Sequence, residues 1–283
     1  MSIKKNEVTL GSDPEVFLYN PKEGKFYPSS GFIQGTKEQP FHVEDLGEGF
    51  CTQVDNVMVE FNIPPSSSKE DFSENLLKVL NYIENNLPEP FVLQIQPSAQ
   101  FEKKDLDIDE NQVLGCSEDF CVYTGENVSV TSLAGTNYRF AGGHIHVGYP
   151  ERSFEKNEQL VKWMDVFLGV PSVILDEDLY RKSFYGTPGR YREKMFGVEY
   201  RTLSNFWVTH PELHKWVYEQ TLKAYYAVKN KVPLSKKLED DVFDIITKND
   251  VVGAASLIEE MEIMSSEEID RLSKLKKKEH VNA

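Results

Sequence analysis

Several stretches of this chain alternate polar and apolar residues with a period of two, and the clearest of them is Phe140–Tyr149 (FAGGHIHVGY). Successive side chains of a β-strand point to opposite faces, so this alternation predicts one buried strand with His144 and His146 on the same face. Ile145 and Val147 would then face the core. The flanking glycines would let another backbone or a ligand approach closely. Two imidazoles on one face are typical of a metal or phosphate site, and equally of two hydrogen-bonded core histidines.

A second alternating stretch covers residues 8–19 and is interrupted by the segment GSDPE. Asp13 and Glu15 are two residues apart and share a face if the chain is extended. Pro14 cannot donate a ladder hydrogen bond, which places this segment at a strand start, an edge or a bulge. A polar turn is the competing interpretation.

Residues 53–63 (QVDNVMVEFNI) predict another strand. One of its faces is fully apolar, and the other carries Glu60 flanked by the amides Asn56 and Asn62. A carboxylate between two amides, with an apolar face behind it, indicates more than a solvated strand surface.

Two further stretches contain most of the notable cations. Residues 185–194 (YGTPGRYREK) predict a basic loop with Gly186 and Gly189 as hinges, and Arg190 and Arg192 make it a candidate anion clamp. Surface arginines in ion pairs are the alternative. The strand predicted within residues 196–207 places Glu199 and Arg201 on one face.

Composition restricts the partners of the chain. It has 283 residues and a formal charge of −15, which disfavours non-specific binding to nucleic acid or to an anionic membrane. We expect no membrane span and no signal peptide, and three cysteines fit a reduced, cytoplasmic protein. The composition changes after Pro233, so we expect a catalytic domain over residues 1–233 and a charged helical extension over residues 234–283.

If these polar strand faces converge, their buried carboxylates would repel one another unless a divalent cation compensates them. Oxygen ligands with one imidazole suit Mg²⁺ or Mn²⁺ better than Zn²⁺. Arginines beside such ions indicate phosphate and hence nucleotide chemistry. The sequence has no Walker motif and no kinase signature.

Taken together and in this order, four motifs carry a family resemblance: GSDPEVFL, DNVMVEFNIPP, AGGHIHVGY and YGTPGRYREKMFGVEYRTLSNFW. Over about residues 8–230 the chain resembles the phage-type carboxylate–amine ligases (amidoligase type 2), distant relatives of glutamine synthetase and glutamate–cysteine ligase. The resemblance implies an α+β fold, with a curved antiparallel sheet backed by helices. It also implies a cleft that holds ATP and two Mg²⁺ or Mn²⁺ ions.

The resemblance further implies a role for each matching residue. The expected metal ligands are Asp13, Glu15, Glu60, His144 and Glu199. The expected ATP and phosphate contacts are His144, His146, Arg190, Arg192 and Arg201. The expected catalytic residues are Arg192, Arg201 and Glu60, and the expected substrate contacts are Asn56, Asn62 and Asn205.

The implied reaction joins a small-molecule or peptide carboxylate to an amine. ATP would first convert the carboxylate into an acyl phosphate, which the amine then attacks. Three alternatives stay open at this point: a metal-dependent hydrolase, a cupin-like oxygenase that shares the HxH pattern, and a non-catalytic ligase-like phage protein. The sequence identifies neither the acid nor the amine, nor the oligomeric state.

Overall fold

A large antiparallel sheet dominates the computed structural model, which describes residues 7–106, 119–128, 136–176 and 178–275. Twelve strands of this part of the chain join in one sheet, and β8 and β11 form a separate pair. The strands are β1 (Thr9–Ser12), β2 (Glu15–Asn20), β3 (Lys25–Tyr27), β4 (Phe41–His42), β5 (Cys51–Asp55), β6 (Met58–Ser66), β7 (Val92–Gln94), β8 (Ser98–Gln100), β9 (Asp119–Cys121), β10 (Glu126–Val128), β11 (Tyr138–Phe140), β12 (Ile145–Gly148), β13 (Arg190–Lys194) and β14 (Gly197–Tyr200). The main path of the sheet runs β10-β9-β13-β14-β12-β1-β6-β2-β3.

Helices cover one face of this sheet. They are α1 (Lys69–Asn86), α2 (Lys103–Leu106), α3 (Phe154–Met164), α4 (Val170–Leu175), α5 (Leu179–Lys182), α6 (Pro211–Lys229), α7 (Lys236–Lys248), α8 (Val251–Glu260) and α9 (Ser266–Leu275), with a π-helical turn (Asp165–Gly169) between α3 and α4. Helix α1 packs on β6 and α6, and α3 packs on β13 and β14. The predicted α+β class, with an antiparallel sheet backed by helices, is confirmed.

The helices after Pro233 bury apolar side chains in the same core as the sheet, among them Val242, Ile246 and Leu257. This region also bonds to the preceding helices, because Trp216 donates to Met264 Sδ, between α8 and α9, at 3.3 Å and Lys162 pairs with Glu239 at 2.9 Å. The predicted boundary between residues 233 and 234 stays a prediction. Within the described ranges, no helix has both the length and the apolar character needed to cross a membrane.

Strands β1 and β2 lie end to end along the same neighbour, β6. Ser12 is opposite Ile63 and Glu15 is opposite Glu60, so the register is kept across the two residues between the strands. Pro14 cannot donate a ladder hydrogen bond, and the strand is interrupted there. Asp13 therefore lies at a break in the sheet.

The single strand predicted over residues 53–63 is wrong. The segment is a hairpin in which β5 pairs with β6 and Asp55 lies opposite Met58. Asn56 occupies the turn with φ +56°, a left-handed conformation that asparagine tolerates better than most residues. Gln53 and Glu60 become cross-strand neighbours as a result.

The continuous strand predicted over residues 140–149 is also wrong, because β11 ends at Phe140 and β12 begins at Ile145. The chain between them passes close to other groups. A Cβ atom on Gly142 would lie 2.3 Å from His144 Nε2, and one on Gly143 would lie 2.2 Å from the Ser204 carbonyl oxygen. These glycines permit close packing, as predicted, but they do so by leaving the strand.

The predicted basic loop is partly wrong as well, since Arg190 and Arg192 lie on strand β13, which is hydrogen-bonded to β14 and β9. The turn before this strand is tied down. Gly189, at φ +75°, donates its amide hydrogen to the buried Asp165 carboxylate at 2.6 Å. Closure of a mobile arginine loop is therefore not the way in which these cations reach a ligand.

The close approach at Gly143 predicts a steric effect of substitution. Gly143→Ala should lower the free energy of unfolding by about 1–3 kcal/mol, because the added methyl group meets backbone and an indole nitrogen. Gly11→Ala is the matched control, since its nearest neighbour would be at 3.6 Å, and it should change stability by less than about 1 kcal/mol. Urea unfolding of both variants checks this, and equal midpoints would contradict the packing described.

Candidate functional site

Two cross-strand rows of polar side chains run over the sheet face opposite to that on which α1 and α3 pack. In the first row, His146 lies opposite Gly11 on one side and Glu199 on the other, and Glu199 lies opposite Arg192. In the second, Glu60 lies between Glu15 and Gln53. The register of the strands therefore brings residues from distant parts of the sequence into contact.

Both rows contribute to one cavity of about 220 Å³. The predicted site residues that line it are Asp13, Glu15, Glu60, Asn62, His144, Arg192, Glu199 and Arg201. All five residues predicted as metal ligands are in this set.

Four other predicted residues lie elsewhere. His146 is next to the cavity, and Asn56 accepts a hydrogen bond from Arg139 at 3.0 Å on the β5–β6 turn. Asn205 is fully buried and donates to the Glu15 carbonyl at 2.7 Å, so it contacts the main chain of β2 rather than the cavity. Arg190 Nε lies 3.6 Å from Asp119 Oδ2.

Asp13 is at the centre of the site. Its Oδ1 atom lies 3.2 Å from His146 Nε2 and 3.4 Å from His144 Nδ1. Burial alone would raise the pKa of Asp13, but the nearby imidazoles of His146 and His144 lower that pKa well below its ordinary value. The carboxylate is therefore ionised and faces two nitrogen donors.

The three residues best placed to share a metal ion are Asp13, His146 and Glu199, each of which offers a ligand atom within 4.8 Å of the others. Asp13 Oδ1 and His146 Nε2 are buried and, among the described residues, make no hydrogen bond of suitable geometry. This donor set of two carboxylates and one imidazole fits Mg²⁺ or Mn²⁺.

His144 differs from His146 in its surroundings. Both of its ring nitrogens already face protein groups: Nδ1 lies 3.1 Å from Arg201 Nη1, and Nε2 lies 3.0 Å from the Tyr185 hydroxyl. Burial and the Arg201 charge lower the pKa of His144. Among the described residues His146 is grouped with Asp13 and Glu199 as a possible metal set, and the metal role of His144 stays a prediction.

One end of the cavity is acidic. Glu15 accepts the Gly142 amide hydrogen at 2.5 Å, and Gln53 donates to Glu60 at 2.7 Å. Burial, with a further contribution from Asp55, raises the pKa of Glu15 to about 7. Burial and the charges of Asp13, Glu15 and Asp55 raise the pKa of Glu60 well above its ordinary value. This end holds more carboxyl groups than its own cations can neutralise, a situation that favours cation binding.

The opposite end is rich in cations gathered around Glu199. Lys194 Nζ lies 2.5 Å from Glu199 Oε2, Arg192 Nη1 lies 3.4 Å from Oε1, and Arg201 Nη1 also contacts Oε1. Burial and Asp13 act to raise the pKa of Glu199, but Arg201 and the two histidines lower it to about 2. Three cations around one buried carboxylate give this end the charge and the donors to bind a phosphate.

Sequence reasoning missed several residues of the cavity. Gln53 and Asp55 face it because the hairpin turn at Asn56 folds β5 beside β6, and a hairpin interpretation of the DNVM segment would have found them. Lys37, which pairs with Asp55 at 3.3 Å, comes from a loop without periodicity. Asp119 starts a strand in a region whose pattern predicts nothing definite.

The raised pKa of Glu15 predicts how stability depends on pH without divalent cations. Between pH 4.5 and about 7 the folded state keeps the Glu15 proton that the unfolded chain has lost, so the stability contributed by this group falls as pH rises. Glu15→Gln should therefore gain stability relative to the wild type across this window, in total on the order of 3 kcal/mol.

Urea unfolding at several pH values measures this difference. The control is Glu74→Gln, which makes the same substitution on the exposed side of α1, away from the cavity. Parallel curves for the wild type and Glu15→Gln would show that Glu15 is ionised in the folded state at pH 5.

No curated protein matches the sequence significantly. Among solved structures, the chain is similar to a bifunctional glutathione synthetase from Pasteurella multocida, with 12% identity and a TM-score of 0.42 over 96% of this chain and 51% of that one. It thus spans about half the length of that protein. It is also similar to an ADP complex of GmaS, with 10% identity and a TM-score of 0.37 over 95% of this chain and 73% of that one.

A family model gives the identification. The model of the phage phiEco32-like COOH.NH2 ligase-type 2 family matches residues 81–244, which is more than half of the chain. The matched segment includes His144, His146, Glu199 and the three cations around Glu199. The chain therefore belongs to the phage-type carboxylate–amine ligase family.

Proposed function

We propose that this protein is an ATP-dependent ligase that joins a carboxylate to an amine through an acyl phosphate. The observation that carries this proposal is the pairing of two sites in one cavity. A candidate metal set at Asp13, His146 and Glu199 adjoins a cluster of cations. Phosphoryl transfer needs both, because the transferring group carries charge on three oxygens. A metal-dependent hydrolase would need the acids and the histidine but not the arginines.

The metal would be held by Asp13, His146 and Glu199, with Glu15 and Glu60 as candidate ligands of a second ion. A divalent cation at these residues would screen the charge between the ATP phosphates and the attacking carboxylate. The lowered pKa values of Asp13 and Glu199 keep both carboxylates ionised and ready to coordinate.

In the first step, Arg192, Arg201 and Lys194 would bind the γ-phosphate of ATP. The substrate carboxylate oxygen forms a bond to the γ-phosphorus, the bond from that phosphorus to the bridging oxygen breaks, and ADP leaves. Fixed guanidinium groups stabilise the charge on the transferring oxygens without reorganising.

In the second step, the amine nitrogen attacks the acyl carbon and the bond from that carbon to the phosphate oxygen breaks. The products are an amide and inorganic phosphate. The amine loses a proton, and the candidate acceptor is Glu60 in its ionised form, buried at the acidic end. Asn62 lines the same end and is a candidate substrate contact.

We assign the reaction to residues 1–233 and treat residues 234–283 as a helical extension. Every cavity residue named above precedes Pro233. We further propose that the ligase works in the cytoplasm, where ATP is available.

The proposal predicts a trapped acyl phosphate. The protein is incubated with ATP, Mg²⁺, hydroxylamine and pools of carboxylic acids, and hydroxamate and ADP are measured. We expect equal amounts of both, only when an active acid is present. An acid labelled with ¹⁸O in its carboxylate should transfer one label to phosphate. Release of ADP without hydroxamate in any pool, or hydroxamate formation without ATP, would contradict the proposal.

Two histidine variants control the same assay. His146→Ala removes a candidate metal ligand and should raise the Mg²⁺ concentration needed for half-maximal hydroxamate formation at least about tenfold. His42→Ala removes an exposed histidine of β4 and should behave as the wild type does. An unchanged Mg²⁺ requirement in His146→Ala would remove His146 from the metal site.

A further inference from the structure

Asp119 is a buried carboxylate to which the reaction above assigns no role. It begins β9 and its side chain is only 1% exposed, so its charge must be compensated by protein groups. The groups that surround it are three arginines. Its Oδ1 atom lies 3.0 Å from Arg201 Nε and 3.1 Å from Arg192 Nε, and its Oδ2 atom lies 3.6 Å from Arg190 Nε.

The sheet register explains why these charges meet. Strands β13 and β9 pair Arg190 with Cys121 and Tyr191 with Phe120. One more step in this register sets Arg192 opposite Asp119. The row of polar side chains described above therefore extends over a further strand, from Gly11 to Asp119, and the charges of its last three members alternate in sign.

Asp119 approaches Arg192 and Arg201 at the same nitrogen, the Nε atom nearest the main chain. These contacts are ion pairs without hydrogen-bond geometry. Their attraction holds the Nε end of each planar guanidinium group against Asp119, which limits the directions in which the two terminal nitrogens can point. In both residues Nη1 points towards Glu199 Oε1, in the cavity. The Tyr185 hydroxyl accepts a hydrogen bond from the remaining terminal nitrogen of Arg201, Nη2.

We infer that Asp119 is a positioning residue that aims the Nη1 atoms of Arg192 and Arg201 into the cavity. The inference rests on the proposed function for its chemical consequence, since the ligand of these nitrogens would be the terminal phosphate of a nucleoside triphosphate. Asp119 does not touch that phosphate. It acts through the two arginines, whose orientation it fixes before the ligand binds.

The geometry and simple electrostatics predict opposite effects of Asp119→Asn, which keeps the size of the side chain and removes its charge. A lost negative charge near an anion site should tighten anion binding. Lost orientation should weaken it. We expect Asp119→Asn to bind inorganic tripolyphosphate at least tenfold more weakly than the wild type in calorimetry.

The charge control is Glu193→Gln. Glu193 neighbours Arg192 on β13, but its side chain lies on the other face of the sheet, where it accepts a hydrogen bond from Asn157 at 2.8 Å. This variant loses one negative charge at a similar place and should bind tripolyphosphate as tightly as the wild type or slightly more tightly. In an Arg192→Ala, Arg201→Ala background, Asp119→Asn should have no further effect on binding.

A second readout tests the positioning itself, without any ligand. The Nε–H groups of Arg192 and Arg201 should give slowly exchanging signals in nitrogen-15 NMR spectra, assigned with the Arg192→Lys and Arg201→Lys variants. Asp119→Asn should broaden or remove both signals, and Glu193→Gln should leave them unchanged.

The two readouts separate this inference from the proposed function. Unchanged Nε–H signals in Asp119→Asn, or tripolyphosphate binding as tight as in the wild type, would overturn the positioning role. If the signals vanish in Asp119→Asn but the wild type itself does not bind tripolyphosphate, the positioning role stands and the phosphate chemistry of the proposed function fails.

Discussion

The site depends on one constraint, which is that charged groups placed on a sheet with a packed core behind it must find compensating charges close by. The apolar faces of β12 and β14 bury Ile145, Val147 and Val198 against the helices, and this fixes the direction of the polar side chains between them. A slip of one residue in register would send those charges into the core. The same packing that stabilises the fold therefore holds Glu199 in the cavity.

Charge compensation differs between the two ends of the cavity, and this difference determines which ligand groups each end can bind. Around Glu199, burial and the charge of Asp13 are outweighed by the charges of Arg201 and the two histidines, and the pKa of Glu199 is lowered to about 2. Around Glu15 and Glu60 the carboxylates predominate, and burial with mutual repulsion raises both pKa values. A ligand that carries a phosphate at one end and is accompanied by divalent cations would relieve both imbalances together. The complementary charges of the two ends are the physical basis of the proposed ligase chemistry.

Period-two alternation predicted the polar faces around Glu60, His146 and Glu199, because this signal depends only on which side of a strand a residue lies. It did not predict where strands end. The turn at Asn56 depends on a left-handed backbone conformation. Gly142 and Gly143 leave the strand where the chain approaches other groups closely. Neither feature produces a periodic pattern in the sequence.

The register between strands could not be predicted from the sequence for a related reason. The pairing of Arg192 with Glu199 could be foreseen from a short hairpin, but the approach of Asp119 to both arginines depends on a strand that begins more than seventy residues earlier in a region without clear pattern. Likewise, the sequence does not show that Tyr185 and Arg201 lie against the two ring nitrogens of His144. Such partners become visible only in three dimensions.

The central claim is that the open face of the sheet binds a divalent cation next to a triphosphate. Anomalous diffraction from crystals grown with Mn²⁺ and a non-hydrolysable ATP analogue tests this most directly. The account predicts a manganese peak within coordination distance of Asp13, His146 and Glu199, with the terminal phosphate of the analogue against Arg192 and Arg201. A cavity without manganese, or a nucleotide bound elsewhere on the protein, would contradict it.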